Sequence, residues 1–375
     1  MTPADDHLLA AGAPAAAAIR ARYLALPTRR MLVLAACFAC ALAAILANLA
    51  LGPVVVPLAS VLRILTGTHE AVGADGGVAA SVVLDLRAPR VVQGLLVGAA
   101  LAVSGAAFQG LFRNPLADPS LVGISAGAAT GAVGYIVLGS ALGSAFAPLA
   151  AIPRMAALPL AAIGGALAAA AALYRLGRRG SDLDIATLLL AGIAITALCL
   201  SASGLLIFVS DDEQLRELNF WSLGSLARAH WPVLLPALPW LLGATAWLVA
   251  RAGVLNALAL GEAEAWHLGY RVERVKLEVV ALTATAVGTA VAIAGVIGFI
   301  GLIVPHLLRL AIGADNRYVL AGAAALGGAL LLVADLLART LVVPAELPIG
   351  ILTSLLGGPF FLWLMQRQRC APALP

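Results

Sequence analysis

Long hydrophobic stretches without a charged residue follow one another along most of the chain. They cover 31–51, 91–112, 119–153, 155–174, 185–210, 231–250, 279–308, 318–334 and 347–366. A helix rises about 1.5 Å per residue and needs about 20 apolar residues to cross a bilayer, so each stretch is close to the length of a membrane span or longer. The pattern predicts an all-α chain that crosses a membrane many times.

Two of the stretches contain more than one simple span. Within 119–153 we expect a span at about 119–140, with Asp118 as its N-cap and Pro119 at its first helical position, followed by a connector. The stretch 279–308 is too long for one span, and its glycines and Pro305 predict a span near 277–300 and a shorter, broken span near 302–313. The total is ten spans.

Glycines recur at every fourth position in two of these stretches. Gly94 and Gly98 form one such series, and Gly123, Gly127 and Gly131 form another. This spacing lets two helices approach closely, either inside one chain or across a dimer.

Composition agrees with a membrane protein and excludes other classes. The chain is 62% hydrophobic and 11% charged, against about 25% charged in a soluble domain. A soluble fold or a disordered chain is therefore excluded. The basic residues are arginines apart from Lys276 and are scattered singly, so no nucleic-acid partner is expected.

The distribution of basic residues predicts an orientation. With the N-terminus inside, 16 of the 23 Lys and Arg fall in cytoplasmic segments, as the positive-inside rule requires. Both termini are then cytoplasmic. Residues 1–28 are predicted to form an N-terminal cytoplasmic extension, and residues 29–369 the ten-span domain.

The motifs of common enzyme sites are missing from the sequence. No G-x-x-x-x-G precedes Lys276, so no Walker A loop is present, and there is no H-E-x-x-H or G-x-S-x-G. His306 follows Pro305 in a broken span, where it can serve function or satisfy freed backbone groups. His230 beside Trp231 is either an axial haem ligand or an interfacial side chain. We expect a chain that is not an enzyme, with no resident cofactor or metal.

Three arginines lie on the outer side of the predicted topology, against the usual bias. Arg87 and Arg90 precede the second span, and Arg339 ends the ninth. The planar guanidinium pairs bidentately with carboxylates, so these arginines are candidates for docking an acidic external partner. The alternative is pairing inside the chain with Asp85, Asp335 or Glu346.

The longest predicted cytoplasmic excursion is 251–276. Between two glycines it contains a short helix-forming run with apolar side chains available for docking into a groove of another protein. The residues are Gly261, Glu262, Ala263, Trp266, His267, Leu268 and Gly269. The alternative is an interfacial helix that lies on the membrane.

Several short motifs lie near the ends of the predicted spans. They are LRAPR at 86–90, QGLFRNPLADP at 109–119, FWSLGSL at 220–226, GVIGFIGLIVPH at 295–306, PAELPIG at 344–350 and GPFFLW at 358–363. With these motifs the chain, from about residue 30 to 367, resembles the membrane-spanning permease subunits of ABC importers for iron chelates, haem and cobalamin, the type II importers.

The resemblance implies the partners and the roles of the residues above. It implies a homodimer of ten-span subunits, two ATP-binding cassette subunits on the cytoplasmic side and a periplasmic substrate-binding protein. Arg87, Arg90 and Arg339 match the arginines that grip glutamates of the binding protein. The Gly261–Gly269 segment matches the coupling helix that seats on the ATPase, which would hydrolyse the ATP.

The resemblance also gives expectations for the cargo and for the transport mechanism. The motifs at 220–226 and 358–363 look most like those of haem importers, with a ferric-siderophore or cobalamin permease as the alternatives. We expect alternating access in the inner membrane, with the third, fifth and tenth spans lining a path whose individual residues the sequence does not identify. A different class, an ion-coupled secondary transporter, would require ionisable residues at mid-membrane, and the predicted spans hold almost none.

Overall fold

The computed structural model describes residues 3–67, 74–145, 152–179, 182–183, 185–342 and 345–370. Within these ranges the regular structure is helical, apart from one antiparallel pair of two-residue strands. Seven of the helices described are long and apolar enough to cross a membrane, and three shorter apolar helices, Ile124–Gly139, Ile300–Ile312 and Ile349–Trp363, bring the number to ten. The predicted all-α polytopic fold is confirmed.

The elements are numbered here in chain order. The helices are α1 (Pro3–Ala50), α2 (Leu58–Leu65), α3 (Ala74–Ser81), a π-helical segment (Val82–Arg87), α4 (Ala88–Leu111), α5 (Ile124–Ala145), α6 (Arg154–Gly177), α7 (Ile185–Phe208), α8 (Asp212–Ser222), α9 (Trp231–Ala250), α10 (Ala252–Leu260), α11 (Glu262–His267), α12 (Val272–Ala294), α13 (Ile300–Ile312), α14 (Asn316–Thr340) and α15 (Ile349–Cys370). The strands are β1 (Arg178–Arg179) and β2 (Asp182–Leu183).

Helix α4 forms the centre of the bundle and packs against α9, α12, α13 and α14. A Cβ atom at Gly98 would lie 2.3 Å from the carbonyl oxygen of Gly327, and one at Gly105 would lie 1.9 Å from that of Gly301. Real Cβ atoms do not approach so closely, so glycine at these positions is what allows α14 and α13 to touch the α4 backbone. The spacing at Gly94 and Gly98 therefore serves packing inside one chain.

The second glycine series joins α5 to α6. A Cβ atom at Gly127 would meet the Gly165 oxygen at 2.6 Å, and one at Gly131 would meet the Ala161 oxygen at 2.2 Å. Gly123 instead lies before the helix, with a φ of +88°. Both series therefore join helices within one chain.

The expected start of the third span is wrong. Helix α5 begins at Ile124 rather than Pro119. The carboxylate of Asp118 accepts from the backbone N–H of Ser120 at 2.8 Å and so closes a local turn, and does not cap a helix. The left-handed backbone of Gly123 breaks the chain direction between this turn and α5.

The break after the seventh span is also longer than expected. Helix α12 ends at Ala294, before the predicted 300, and α13 begins at Ile300. Between them Gly295 and Phe299 both have a positive φ, of +71° and +68°. The connector before α9 supports this break, since the Ser225 N–H donates to the Ala294 oxygen at 2.8 Å.

The two ends of the bundle carry the two groups of predicted site residues. Helix α4 has 24 residues and is therefore about 36 Å long. Arg87 and Arg90 lie at its first turn, near Arg339 at the last turn of α14; we call this the arginine end. Gly110, one residue before the end of α4, lies against α10, and we call that the α11 end.

Candidate functional site

The structure brings Arg87, Arg90 and Arg339 into one cluster and gives each of them partners from its own chain. Arg87 is buried, and its Nη1 donates to the Leu49 oxygen at 2.6 Å while its Nη2 donates to the Val54 oxygen. These carbonyls belong to the end of α1 and the connector after it. Arg87 therefore fixes the α1–α2 connector against the start of α4.

Arg90 pairs with two carboxylates of very different exposure. Its Nη2 lies 2.8 Å from Asp335 Oδ1, and that side chain is 1% exposed. The same atom lies 3.0 Å from Glu346 Oε2, which is 38% exposed. The inner pair is structural, whereas the outer pair lies where another carboxylate can reach the guanidinium.

Arg339 is held by Asn48 and shares Asp335 with Arg90. Its Nη2 donates to the backbone oxygen of Asn48 at 2.8 Å and to Oδ1 of that residue at 2.9 Å. The Arg339 Nε atom lies 3.9 Å from Asp335 Oδ2. A Cβ atom on Gly52 would come within 3.3 Å of both Arg339 and Arg87, so this glycine makes room for the two guanidiniums.

Within the described residues the cluster has one positive charge in excess, because Asp335 and Glu346 pair with Arg90 and Arg339 whereas Arg87 bonds two uncharged carbonyls. Apolar side chains that are 60% or more exposed surround it: Val54, Val55, Leu86 and Leu341. Arginine is enriched at protein–protein interfaces, and exposed apolar side chains are typical of their cores. Asp85, the third candidate partner, accepts from Ser81 Oγ at 2.8 Å instead.

At the α11 end the predicted run forms a short helix between two glycines with positive φ. Gly261 has a φ of +144° and Gly269 a φ of +89°. Trp266 is 67% exposed and Leu268 62% exposed, whereas Ala265, just before them, is fully buried. Helix α11 therefore presents an apolar face to the surroundings from a fixed base.

Lys276 provides that base, and sequence reasoning missed its role. The side chain is 3% exposed, and its Nζ lies 2.6 Å from Glu262 Oε2 at the start of α11 and 3.4 Å from Glu273 Oε1. The Tyr174 hydroxyl donates to Glu273 Oε2 at 2.7 Å. The signal was present in the sequence, since this is the single lysine among 23 basic residues.

The first part of the predicted 251–276 excursion, which forms α10, is more buried than expected. Helix α10 buries Val254, Leu255, Ala257 and Leu258 and packs against α4 and α14. Asn256 on α10 donates to Asp315 Oδ1 at 2.7 Å, and its own Oδ1 accepts from the Asn316 N–H at 2.8 Å. The segment is thus joined to the bundle core on both sides of α11.

The two histidines that the sequence singled out make local contacts. His230 is the N-cap of α9, and its Nδ1 lies 2.6 Å from the Arg228 oxygen. Its neighbour Trp231 donates to the Leu84 oxygen at 3.1 Å. His306 lies against Phe360 of α15, with ring centroids 6.0 Å apart.

Comparison with known proteins agrees with this architecture. The chain matches the FecCD transport family over residues 40–367. It is 52% identical over 289 residues to the hemin transport system permease protein HmuU of Yersinia pestis, which covers 76% of this chain and 83% of that protein. It is 42% identical to the cobalamin import system permease protein BtuC of Halobacterium salinarum, over 75% of this chain and 72% of that protein.

A solved structure shows the same fold. It is described as an inward-facing conformation of a metal-chelate type ABC transporter, and it matches with a TM-score of 0.74 and 30% identity, over 89% of this chain and 99% of that chain. The family match spans most of the chain and argues against the alternative of an ion-coupled carrier. The chain belongs to the FecCD transport family and is the membrane-spanning permease of a type II ABC importer.

Proposed function

We propose that this permease imports haem (hemin) across the bacterial inner membrane. The assignment of haem as the cargo is supported by the 52% identity to a permease named for hemin transport. The identity to a permease named for cobalamin is 42% over a similar length. A vitamin B12 permease of Escherichia coli is 41% identical. Cobalamin is therefore the first alternative cargo, and a ferric siderophore is the second.

In this proposal the chain is not an enzyme, and its energy comes from separate subunits. Two ATP-binding cassette subunits hydrolyse ATP on the cytoplasmic side, and a periplasmic substrate-binding protein delivers the cargo. The α11 end then faces the cytoplasm and the arginine end faces the periplasm. Both termini are cytoplasmic, which agrees with the excess of Lys and Arg in the segments at that end.

Helix α11 is proposed to dock on the ATPase through Trp266, His267 and Leu268, with Gly261, Glu262, Ala263 and Gly269 shaping the helix and its ends. Exposed apolar side chains on a rigid short helix suit insertion into a groove of a partner protein. The Lys276–Glu262 ion pair joins α11 to α12. A displacement of α11 by the ATPase would therefore reach a membrane span directly.

The arginine cluster is proposed to dock the binding protein by exchange of carboxylates. The Arg90–Glu346 pair lies at the exposed rim, and exposed ion pairs are worth only about 0–1 kcal/mol, so an incoming carboxylate can replace Glu346 at small cost. Arg87 and Arg339 are buried and hydrogen-bonded within the subunit. Their guanidiniums raise the positive potential that attracts the partner and hold the surface in shape.

A homodimer is proposed to form through faces that a single chain leaves uncovered. Only 17% of the most apolar window of α7 is buried within the subunit. On this helix Leu190, Ile193 and Leu198 are more than 60% exposed, as are Leu355 and Leu362 on α15.

Helices α7 and α15, together with α5, are also the proposed walls of the translocation path. Their apolar side chains would let a large flat cargo move through without binding it tightly.

The experiment that tests the cargo is uptake into proteoliposomes that contain this chain with its ATPase and its binding protein. Hemin, cyanocobalamin and a ferric siderophore are supplied separately, each at the same concentration. We expect ATP-dependent accumulation of hemin and background levels of the other two. Accumulation of cyanocobalamin or the siderophore in place of hemin would contradict the haem proposal and identify that compound as the cargo.

A further inference from the structure

A cavity of about 550 Å³ lies between α9 and α12 at the α11 end of the bundle. Span α9 ends at Ala250 and span α12 begins at Val272, beside the mouth of the cavity. The level at which spans end is the level of the lipid headgroups. Trp247 lines the cavity, and tryptophan is the residue most typical of this interfacial layer.

The mouth of the cavity carries an excess of positive charge. Arg251, Arg271 and Arg274 line it together with a single carboxylate, that of Glu278. Glu278 is already used, since its Oε1 lies 2.7 Å from Arg251 Nη2 and accepts from Trp247 Nε1 at 2.5 Å. Arg271 and Arg274 are exposed and have no acidic partner within the described part of the chain. Two guanidiniums are therefore left to meet an anion.

The deeper part of the cavity is apolar. Ala281 and Leu282 line it, nine and ten residues into α12 and therefore about 14 Å below the first residue of the span. Val254 of α10 lines it as well. From mouth to floor the wall changes from guanidinium groups to hydrocarbon, which is the order of groups along a phospholipid.

We propose that this cavity binds an anionic phospholipid, such as cardiolipin or phosphatidylglycerol. Arg271 and Arg274 would bind the phosphate, for which the planar guanidinium fork is suited, and the start of the acyl chains would lie along Ala281 and Leu282. Basic pockets between membrane helices are where such headgroups bind. The site does not depend on the cargo proposed above.

The position of the site predicts a structural consequence. Tyr270 lines the cavity, and its N–H donates to the Ala265 oxygen of α11 at 3.1 Å. A lipid held by Arg271 and Arg274 would therefore stabilise the turn that connects α11 to α12. The lipid would therefore stabilise the same α11–α12 connection as the Lys276–Glu262 pair, but from the membrane side.

Native mass spectrometry of the full-length chain, in the complex in which it purifies, tests this site. Cardiolipin and phosphatidylcholine are added at equal concentration, and retention of cardiolipin over phosphatidylcholine is expected. The double variant Arg271→Gln with Arg274→Gln should lower cardiolipin affinity about 25-fold, since each arginine near the membrane surface contributes about a factor of five. Arg29→Gln with Arg317→Gln is the matched control, because it removes the same charge at the same end from exposed positions outside the cavity.

A second variant tests the cavity itself. Ala281→Phe keeps every charge but fills the apolar floor, and it should also lower cardiolipin retention. An equal loss in the Arg29/Arg317 control would show that net charge alone attracts the lipid and would overturn the site. Equal retention of phosphatidylcholine would overturn it too, as would displacement of cardiolipin by glycerol 3-phosphate, since that ligand has no acyl chains.

Discussion

At the scale of single residues, the three arginines differ in how replaceable their partners are. Arg87 bonds backbone carbonyls, and Arg339 bonds Asn48 and faces Asp335, so both are built into the fold. Arg90 bonds the fully buried Asp335 on one side and the half-exposed Glu346 on the other. Asp335 should therefore matter for stability, and Glu346 for docking.

Replacing Asp335 should destabilise the subunit. Asp335→Asn leaves Arg90 and Arg339 without the buried charge that they share, and breaking a buried ion pair typically costs about 3 kcal/mol. The free energy of unfolding in mixed micelles measures this. The control Asp85→Asn removes an exposed carboxylate whose one hydrogen-bond partner among the described residues is Ser81, and it should change that energy by less than about 0.5 kcal/mol. Equal effects of the two variants would contradict the assignment.

Replacing Glu346 should strengthen docking of the binding protein. Glu346→Gln removes the carboxylate that competes for Arg90, so affinity should rise by up to about fivefold, which corresponds to the 1 kcal/mol of an exposed pair. Binding to the purified importer measures this rise, which should shrink at high salt. Glu213→Gln removes an exposed charge from α8 at the same end and should leave affinity unchanged. Weaker binding of Glu346→Gln would mean that the arginine cluster is not the docking surface.

The position of the three arginines at one end was predictable from the sequence, but their partners were not. Spacing alone allowed both an external carboxylate and pairing with Asp85, Asp335 or Glu346. The choice depends on the crossing of α4 and α14, which brings residues 245 positions apart into contact. That crossing is set by Gly98 against Gly327, and no local pattern in the sequence records which helix a glycine meets.

At the scale of elements, α11 is joined to α12 by an ion pair at its first residue. Glu262 is the first residue of α11, and Lys276 lies in the second turn of α12. A lysine with only 3% of its side chain exposed is costly unless it is paired. We therefore expect the pair to persist when α11 moves, so that the two helices would move together.

A double-mutant cycle should detect this coupling. Glu262→Gln and Lys276→Gln, made singly and together, should give a coupling energy of about 1–3 kcal/mol in the free energy of unfolding. Hydrogen exchange of the α11 amides should quicken in both single variants. Glu264→Gln is the control, because that residue is exposed on the same helix and forms no ion pair within the described residues. Additive effects would mean that the pair does not join the helices.

Helix existence was predictable from the sequence, whereas several helix ends were not. Hydropathy located the ten apolar helices of the described residues, because a membrane span needs a long run of apolar residues. The start of α5 was misplaced because Asp118 and Pro119 have the composition of a helix start, whereas Gly123 decides where the helix begins. The end of α12 depends on a contact with Ser225 that lies far away in sequence.

At the scale of the whole molecule, the proposed function makes the chain a conduit with a docking surface at each end. The arginine end combines one excess positive charge with an apolar rim, and the α11 end displays Trp266 and Leu268. Between them, α7 and α15 carry apolar faces that one subunit does not cover. Composition predicted the membrane fold, and the motifs predicted the family. The cargo was not predictable in the same way, because an apolar path suits several large ligands.

The most direct test is partner dependence of hemin uptake in proteoliposomes. We predict uptake only when the chain, the ATPase, the binding protein and ATP are all present. Trp266→Ala should abolish uptake without lowering the unfolding temperature, since that side chain is 67% exposed, whereas the control Trp240→Ala, 43% exposed on α9, should retain it. Accumulation of hemin by the chain alone, or uptake driven by an ion gradient without ATP, would contradict the account.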